Sequence, residues 1–132
     1  MFDDRSPIYR QIADQIRTEV LTGALQPDDQ IMSTTQYAEF YRINPATAAK
    51  AFQQLVDENV IYKRRGVGMF VSPDARERLQ ADYRKRFFAD VVDPVVTEAR
   101  NIGIPISDVV ARISELAARE NGSPGKSKED NR

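Results

Sequence analysis

The sequence of 132 residues contains neither cysteine nor histidine. Their absence excludes disulfide bonds, thiol nucleophiles, His-dependent catalytic triads and the common zinc ligand sets. No apolar run approaches ~20 residues, and no basic-then-apolar segment opens the chain, so neither a membrane span nor a signal peptide is expected. We therefore expect a cytoplasmic protein that has no cofactor and no metal site.

The chain also has little net charge, because 19 basic residues are offset by 20 acidic ones to leave a formal charge of -1. A protein of this kind can bind nucleic acid only through a local basic patch, since it has no global positive field. The length allows one typical domain, or one small domain with a helical appendage.

The N-terminal third shows the pattern of one amphipathic helix. Ser6 and Pro7 predict its start as N-cap and first helical residue, after a frayed tip at residues 1–5. Gly23 predicts its end in a left-handed cap. The apolar stripe has a spacing of four, at Ile8, Ile12, Ile16 and Val20.

Residues 37–71 carry the most informative pattern. Ser33 or Thr34 is expected to cap a short helix, and Asn44 with Pro45 is expected to open a second one after a tight turn. In the second helix the residues at i, i+3, i+4 and i+7 should be buried on one face, namely Ala48, Ala51, Phe52 and Leu55. Two β-like runs follow at residues 60–63 and 69–72, and the glycines of Arg65-Gly66-Val67-Gly68 predict a tight hairpin between them.

Pro73-Asp74 predicts a boundary, after which the pattern is helical. The apolar phase continues across Pro94, which favours a kinked continuous helix, although Asp93-Pro94 could also begin a new one. Ser107-Asp108 predicts the start of a last helix. These patterns predict an N-terminal domain at 1–73, a helical module at 74–120 and a disordered tail at 121–132.

Several motifs resemble those of a known family. They are the stretch Ser6-Pro7-Ile8-Tyr9-Arg10-Gln11-Ile12-Ala13, then Gly23-x-Leu25-x-Pro27, then Arg65-Gly66-x-Gly68-x-Phe70-Val71. In this order and spacing they resemble the DNA-binding domain of GntR-family bacterial transcription regulators. Ile43-Asn44-Pro45-x-Thr47 and the short helical C-terminal part look like the YtrA subfamily.

The resemblance implies a mainly α (α+β) fold, in which an N-terminal winged helix-turn-helix domain precedes a short two-helix C-terminal dimerisation module. Its recognition helix would be residues 45–58, and its wing tip at Gly66 would enter the neighbouring minor groove. The chain departs from the family at Thr35, which stands where an arginine is usual. Asn44-Pro45-Ala46-Thr47 likewise replaces an arginine-rich start of the recognition helix.

The candidate DNA contacts follow from side-chain chemistry. Ala46 and Thr47 suit base edges, because a small methyl or hydroxyl group permits close approach to the major groove. Lys50 and the basic hairpin suit phosphates and the negative potential of the minor groove, and Ser33 suits a phosphate at a helix N-terminus. The full candidate set is Ser33, Thr35, Asn44, Ala46, Thr47, Lys50, Lys63, Arg64, Arg65 and Gly66.

The apolar stripe after residue 74 is too extensive for a lone helix in water, and a homodimer is the economical way to bury it. The candidate interface residues are Leu79, Tyr83, Phe87, Phe88, Val91, Val95, Val110, Ile113 and Leu116. A two-fold dimer predicts a pseudo-palindromic operator of double-stranded DNA, with half-sites about one turn of ~10 bp apart. The leading hypothesis is therefore a dimeric sequence-specific repressor, with the small-molecule effector unknown.

Two other classes of function were weighed. A protein-interaction adaptor could use the same winged-helix scaffold and the apolar helices to bind a partner, and the net negative charge keeps this alternative open. An enzyme has almost no support, since no catalytic constellation emerges without His, Cys or a phosphate-cradling glycine loop. The carboxylate pairs, such as Asp28-Asp29, lack a glycine-spaced ligand loop and suit turns or helix surfaces better than a metal.

Overall fold

The computed structural model describes residues 2–122. In this range the elements in chain order are α1 (Ile8–Thr22), β1 (Gln30–Ile31), α2 (Thr34–Tyr41), α3 (Pro45–Asp57), β2 (Ile61–Arg64), β3 (Gly68–Val71), α4 (Ala75–Phe87), a π-helical segment (Phe88–Val92), α5 (Asp93–Asn101) and α6 (Ile106–Gly122). The chain divides into two compact units, Met1–Tyr83 and Arg84–Arg132. The first unit has the three helices and hairpin of a winged helix-turn-helix, so the predicted mainly α (α+β) class is confirmed.

The start of α1 differs from the prediction. Pro7, and not Ser6, stands at the N-cap, no side chain caps the helix, and Ile8 is its first residue. The segment before it is not frayed, because Gln11 donates its amide to the carbonyls of Asp3 and Ser6, both at 2.8 Å. Phe2 also packs against the core. The predicted end is correct, since Gly23 adopts a left-handed cap with φ of 86°.

The core of the first unit lies between α1, α2, α3 and the sheet. All four residues predicted on the buried face of α3 are buried, and they meet the stripe of α1 at Ile12, Ile16 and Val20. Ile8 lies outside this core and stays exposed. The spacing of four therefore predicts the packed face correctly from the second turn onward.

One ion pair joins the far ends of α1 and α3. Arg17 donates from Nε and Nη2 to the two carboxylate oxygens of Glu58 at 2.9 and 2.8 Å. Burial opposes ionisation of Glu58, but the hydrogen bonds from Arg17 and Gln54 outweigh it and lower the pKa of this carboxyl. The pair therefore holds the C-terminal end of α3 to α1 by a two-point contact.

The hairpin belongs to a three-stranded antiparallel sheet of order β1-β3-β2. The sequence pattern placed a turn before Ile31 and missed β1, which pairs Gln30 with Phe70 and Ile31 with Met69. A strand of two residues has too little periodicity to be detected. The other two strands also differ from the predicted runs by one residue, because β2 begins at Ile61 and β3 at Gly68.

Leu79 does not lie in the predicted dimer interface. It is only 6% exposed and belongs, with Ala75, to the core cluster of the first unit. The reason is that the first unit extends to Tyr83, beyond the predicted boundary at residue 73. Arg76 and Arg78 also bind the main chain of this unit, at the carbonyls of Leu21 and Asn59.

In the second unit the helix continues through Pro94 by way of a π-helical segment. The amide of Asp93 donates to the carbonyl of Phe88, five residues earlier, and backbone dihedrals stay right-handed on both sides. The wider turn makes room for a proline ring that would clash with a carbonyl in a regular helix. The continuous helix is thus confirmed, whereas a new N-cap at Asp93 is not observed.

The helix ends at Asn101, just before Gly103, which has a φ of 78°, and the amide of Ile104 donates to the carbonyl of Ala99 at 2.8 Å. The last helix, α6, begins at Ile106, one residue before the predicted cap, and runs to Gly122. The remainder of the predicted tail, residues 123–132, lies outside the described residues. No helix within residues 2–122 combines the length and apolarity needed to cross a membrane.

Candidate nucleic-acid interface

The first part of the candidate site is the N-terminus of α2. Ser33 is its N-cap, and its hydroxyl accepts the amide of Gln36 at 3.1 Å while the Gln36 side chain accepts the amide of Ser33 at 3.0 Å. Thr35 lies exposed in the first turn. This capping box makes the turn rigid, so that Thr35 and the cap residue are held together at the positive end of the helix dipole.

The second part is the start of α3, which follows α2 after a turn at Arg42 in the left-handed conformation. Asn44 caps α3 by accepting the amide of Ala46 at 2.7 Å, and Pro45 takes the first helical position as predicted. Ala46 is exposed and Thr47 is half-buried. Because the side chains of Ala46 and Thr47 are short, another molecule can approach the start of α3 closely.

Lys50 lies one turn further along α3 and is exposed, as expected, but its contact with α1 is not predicted by the sequence. Its ammonium lies 4.1 Å from the centroid of the Tyr9 ring, at the start of α1. Arg10 donates to the hydroxyl of Tyr9 at 3.2 Å and lowers the pKa of this phenol. The ring thus gathers two cations beside the exposed face of α3 by a cation–π contact and a hydrogen bond.

The third part is the hairpin of β2 and β3, the wing. Lys63 and Arg64 are exposed at the end of β2, Arg65 is exposed in the turn, and Gly66 has a φ of 75° there. Arg64 lies over the ring of Phe70, with its guanidinium carbon 5.4 Å from the centroid. The arrangement makes a narrow ribbon with cationic sides.

The wing is tied to β1 by Gln30, which the sequence reasoning did not single out. Its side-chain amide donates to the carbonyl of Val67 at 3.0 Å. A Cβ atom at Gly68 would lie 2.5 Å from the same amide nitrogen, so a larger residue there would displace the Gln30 side chain from its present position. No local sequence pattern indicates this contact, because it depends on the pairing of β1 with β3, which are distant in sequence.

The predicted dimer residues of the second unit share one property: they are large, apolar and open to solvent in the single chain. Phe88 is 66% exposed and Ile113 is 60% exposed. Phe87 and Phe88 contact each other edge-to-face, with centroids 5.5 Å apart. In the second unit the exposed set comprises Phe87, Phe88, Val91, Val95, Val110, Ile113 and Leu116, and Tyr83 is exposed at the end of the first unit.

Comparison with known proteins now decides the family. The model described as "Bacterial regulatory proteins, gntR family" matches residues 8–71. A solved "GntR family transcriptional regulator from Listeria monocytogenes" superposes with a TM-score of 0.70 at 30% identity, covering 86% of this chain and 98% of that one. The chain belongs to the GntR family.

Among GntR-family relatives, the HTH-type transcriptional repressor YtrA of Bacillus subtilis (strain 168) is 29% identical over 122 residues, which is 91% of this chain and 93% of YtrA. The HTH-type transcriptional repressor NagR of the same organism is 41% identical over 75 residues, but the chain spans only 31% of NagR. A crystal structure of AraR(DBD) in complex with operator ORX1 has a TM-score of 0.51 at 25% identity and covers 55% of this chain and 93% of that one.

Proposed function

We propose that this GntR-family chain binds a pseudo-palindromic operator as a homodimer and represses transcription. One observation carries the proposal: the first unit joins a close-approach helix start, at Ala46 and Thr47, to a wing with three exposed cations. A helix start of this kind suits base edges, and a cationic ribbon suits phosphates and the minor groove. Relatives named as repressors, and the AraR structure that holds operator DNA, support the same function.

The roles of individual residues follow from their positions. Ala46 and Thr47 would contact base edges, with Asn44 beside them as cap and polar contact. Ser33 and Thr35 would bind a phosphate at the N-terminus of α2, because amides and the helix dipole favour an anion there. The cationic contacts to the backbone would come from Lys50, Lys63, Arg64 and Arg65, with Gly66 at the minor groove.

The homodimer is the second half of the proposal. The exposed apolar residues of Tyr83 to Leu116 would pack against the same set in a second copy, as a small helical bundle. Each large side chain that becomes buried contributes ~1.5–3 kcal/mol, so a handful from each copy suffices for stable association. We assign DNA binding to residues 1–73 and dimerisation to residues 74–120, with Ala75 and Leu79 excepted because they belong to the core of the first unit.

A regulator of this kind is not an enzyme and needs no cofactor. It acts in the cytoplasm, where bacterial operator DNA lies. The alternative function, a protein-interaction adaptor, predicts a different oligomeric state for the isolated protein. An adaptor would stay monomeric until it meets another protein, whereas the proposed repressor dimerises alone.

Selection of bound DNA from a random library by the purified full-length protein tests the proposal directly. We expect an inverted repeat with half-sites about one turn apart. Four cationic contacts per protomer would neutralise about eight phosphates in the dimer, so the log–log salt slope should be near −7.

Matched substitutions separate the roles. Arg65→Ala should weaken binding to every sequence. It should also reduce the magnitude of the salt slope by about 2, because two phosphate contacts per dimer are lost. Thr47→Ala should change the base preference at one or two positions instead. Lys85→Ala removes the same charge from α4 and should leave the slope unchanged. A flat salt response, or a selected site without two-fold symmetry, would refute the proposal.

A further inference from the structure

The wing tip carries one apolar side chain, at Val67. It lies in the loop between β2 and β3 and is 54% exposed. Gly66 and Gly68 flank it, with φ of 75° and 144°, so no neighbouring Cβ shields it. Since valine is β-branched, its isopropyl group is also stiff at χ1. The tip therefore presents a small, rigid, water-exposed apolar surface.

The main-chain polar groups of Val67 are already engaged within the chain. Its amide donates to the carbonyl of Arg64 at 2.9 Å, and its carbonyl accepts the side-chain amide of Gln30 at 3.0 Å. The amide of Val67 and one lone pair of its carbonyl are thus engaged, and the bond from Gln30 lies beside the remaining lone pair, so the side chain is the group that Val67 presents most openly to a ligand. At Val67 that side chain has no donor and no acceptor.

A tip of this kind distinguishes the two kinds of base pair in a minor groove. A·T pairs show only the acceptors N3 and O2 there, whereas G·C pairs add the guanine 2-amino donor, which stands up from the groove floor. An apolar group pressed against that amine removes its water and gives it no acceptor, which is unfavourable. Arg64 and Arg65 favour the same sequences, because A·T-rich grooves are narrow and strongly negative.

We propose that Val67 is a specificity-determining residue, which selects A·T over G·C pairs under the wing, and that Gln30 is the positioning residue that holds it there. This inference rests on the proposed function, since it requires the wing to lie on operator DNA. It adds a base preference to a part of the operator that the recognition helix does not read.

The test uses base analogues in the operator selected by the full-length protein. At the positions outside the recognition-helix contacts, four pairs are compared: A·T, G·C, inosine·C and diaminopurine·T. Inosine keeps the major-groove edge of guanine but lacks the 2-amino group, and diaminopurine adds that group to adenine. We expect A·T and inosine·C to bind alike and the two pairs with an amine to bind on the order of tenfold more weakly, as for a typical mismatch.

Variants at the tip separate the side chain from the shape of the DNA. Val67→Gly should reduce the ratio of the G·C to the inosine·C dissociation constants several-fold. The variant loses the apolar contact with the 2-amino group, whereas the intrinsic shape of the DNA groove is unchanged. Val67→Thr keeps the shape and adds a hydroxyl that can accept from the amine, so it should lower the ratio as well. Gln30→Met keeps side-chain length, loses the bond to Val67 and should reduce the ratio without altering the base preference set by Thr47.

The possible outcomes distinguish a failure of the proposed function from a failure of the inference about Val67. A protein that selects no sequence at all overturns the proposed function and this inference with it. An operator that binds normally but treats the four pairs alike overturns the inference alone. An undiminished ratio in Val67→Gly would show that the preference arises from DNA shape, and an undiminished ratio in Gln30→Met would remove the positioning role.

Discussion

Replacement of Leu79 by alanine separates two roles that its sequence position allows. If Leu79 is a core residue of the first unit, its truncation should lower the free energy of unfolding at every protein concentration. If it is a dimer contact, its truncation should instead raise the dimer dissociation constant and leave the protomer stable. Because Leu79 is only 6% exposed in the single chain and packs in the core cluster, we expect the first result.

The expected magnitude follows from burial. A buried Leu→Ala change costs about 2–5 kcal/mol, comprising the lost transfer free energy and the cavity left behind. That is a large fraction of the ~5–15 kcal/mol that stabilises a typical domain. Ile113→Ala is the matched control, because Ile113 is 60% exposed and lies in α6. Because the dimer loses one such side chain from each copy, the change should cost about 3 kcal/mol per dimer, or about 150-fold in the dimer dissociation constant.

Urea denaturation at several protein concentrations, together with sedimentation equilibrium, measures both quantities. Leu79→Ala should shift the midpoint by the same amount at high and low concentration, whereas Ile113→Ala should shift it most at low concentration. If Leu79→Ala leaves the unfolding midpoint unchanged and weakens only the dimer, the placement of this residue in the core is refuted.

Two further predictions concern the first unit. Arg17 holds the pKa of Glu58 below its ordinary 4.5, so their pair stabilises the fold above that pH and is lost as the pH falls through the lowered folded value. Glu58→Gln should therefore be less stable than the parent at pH 7, by under ~1 kcal/mol for this partly exposed pair, and the difference should shrink in urea titrations as the pH is lowered below 4.5 and through the depressed folded pKa. Gly68→Ala should lower the thermal midpoint more than Gly66→Ala, because both have positive φ but only at Gly68 would a Cβ also displace Gln30. Equal shifts in the two glycine variants would contradict the role given to Gln30.

The sequence predicts those features that depend on a few consecutive residues. The cap at Asn44, the left-handed end at Gly23 and the buried face of α3 follow from local chemistry and from a spacing that one helix imposes. The turn between α2 and α3 is of the same kind. These features place the candidate contacts of α3 at the surface, as expected.

Features that depend on distant contacts were missed. Nothing near Lys50 in sequence indicates that Tyr9 lies beneath its ammonium, because that contact requires α1 and α3 to be packed first. The strand at Gln30 and the burial of Leu79 have the same origin, since each depends on a partner more than ten residues away. The periodic stripe that includes Leu79 continues into the second unit, and periodicity alone cannot show where one core ends.

The π-helical segment at Phe88–Val92 has a consequence for how this region tolerates change in length. A turn closed over five residues holds one residue more than a regular turn, so it amounts to an insertion accommodated inside a helix. The wide turn already absorbs the ~100° of rotation that one extra residue would add to a regular helix. Deleting one residue here would therefore restore regular winding and leave the later side chains, such as Val95 and Ala99, on their present faces. A one-residue difference in length among related chains should be tolerated in this segment, whereas a deletion in the regular turns of α5 should not.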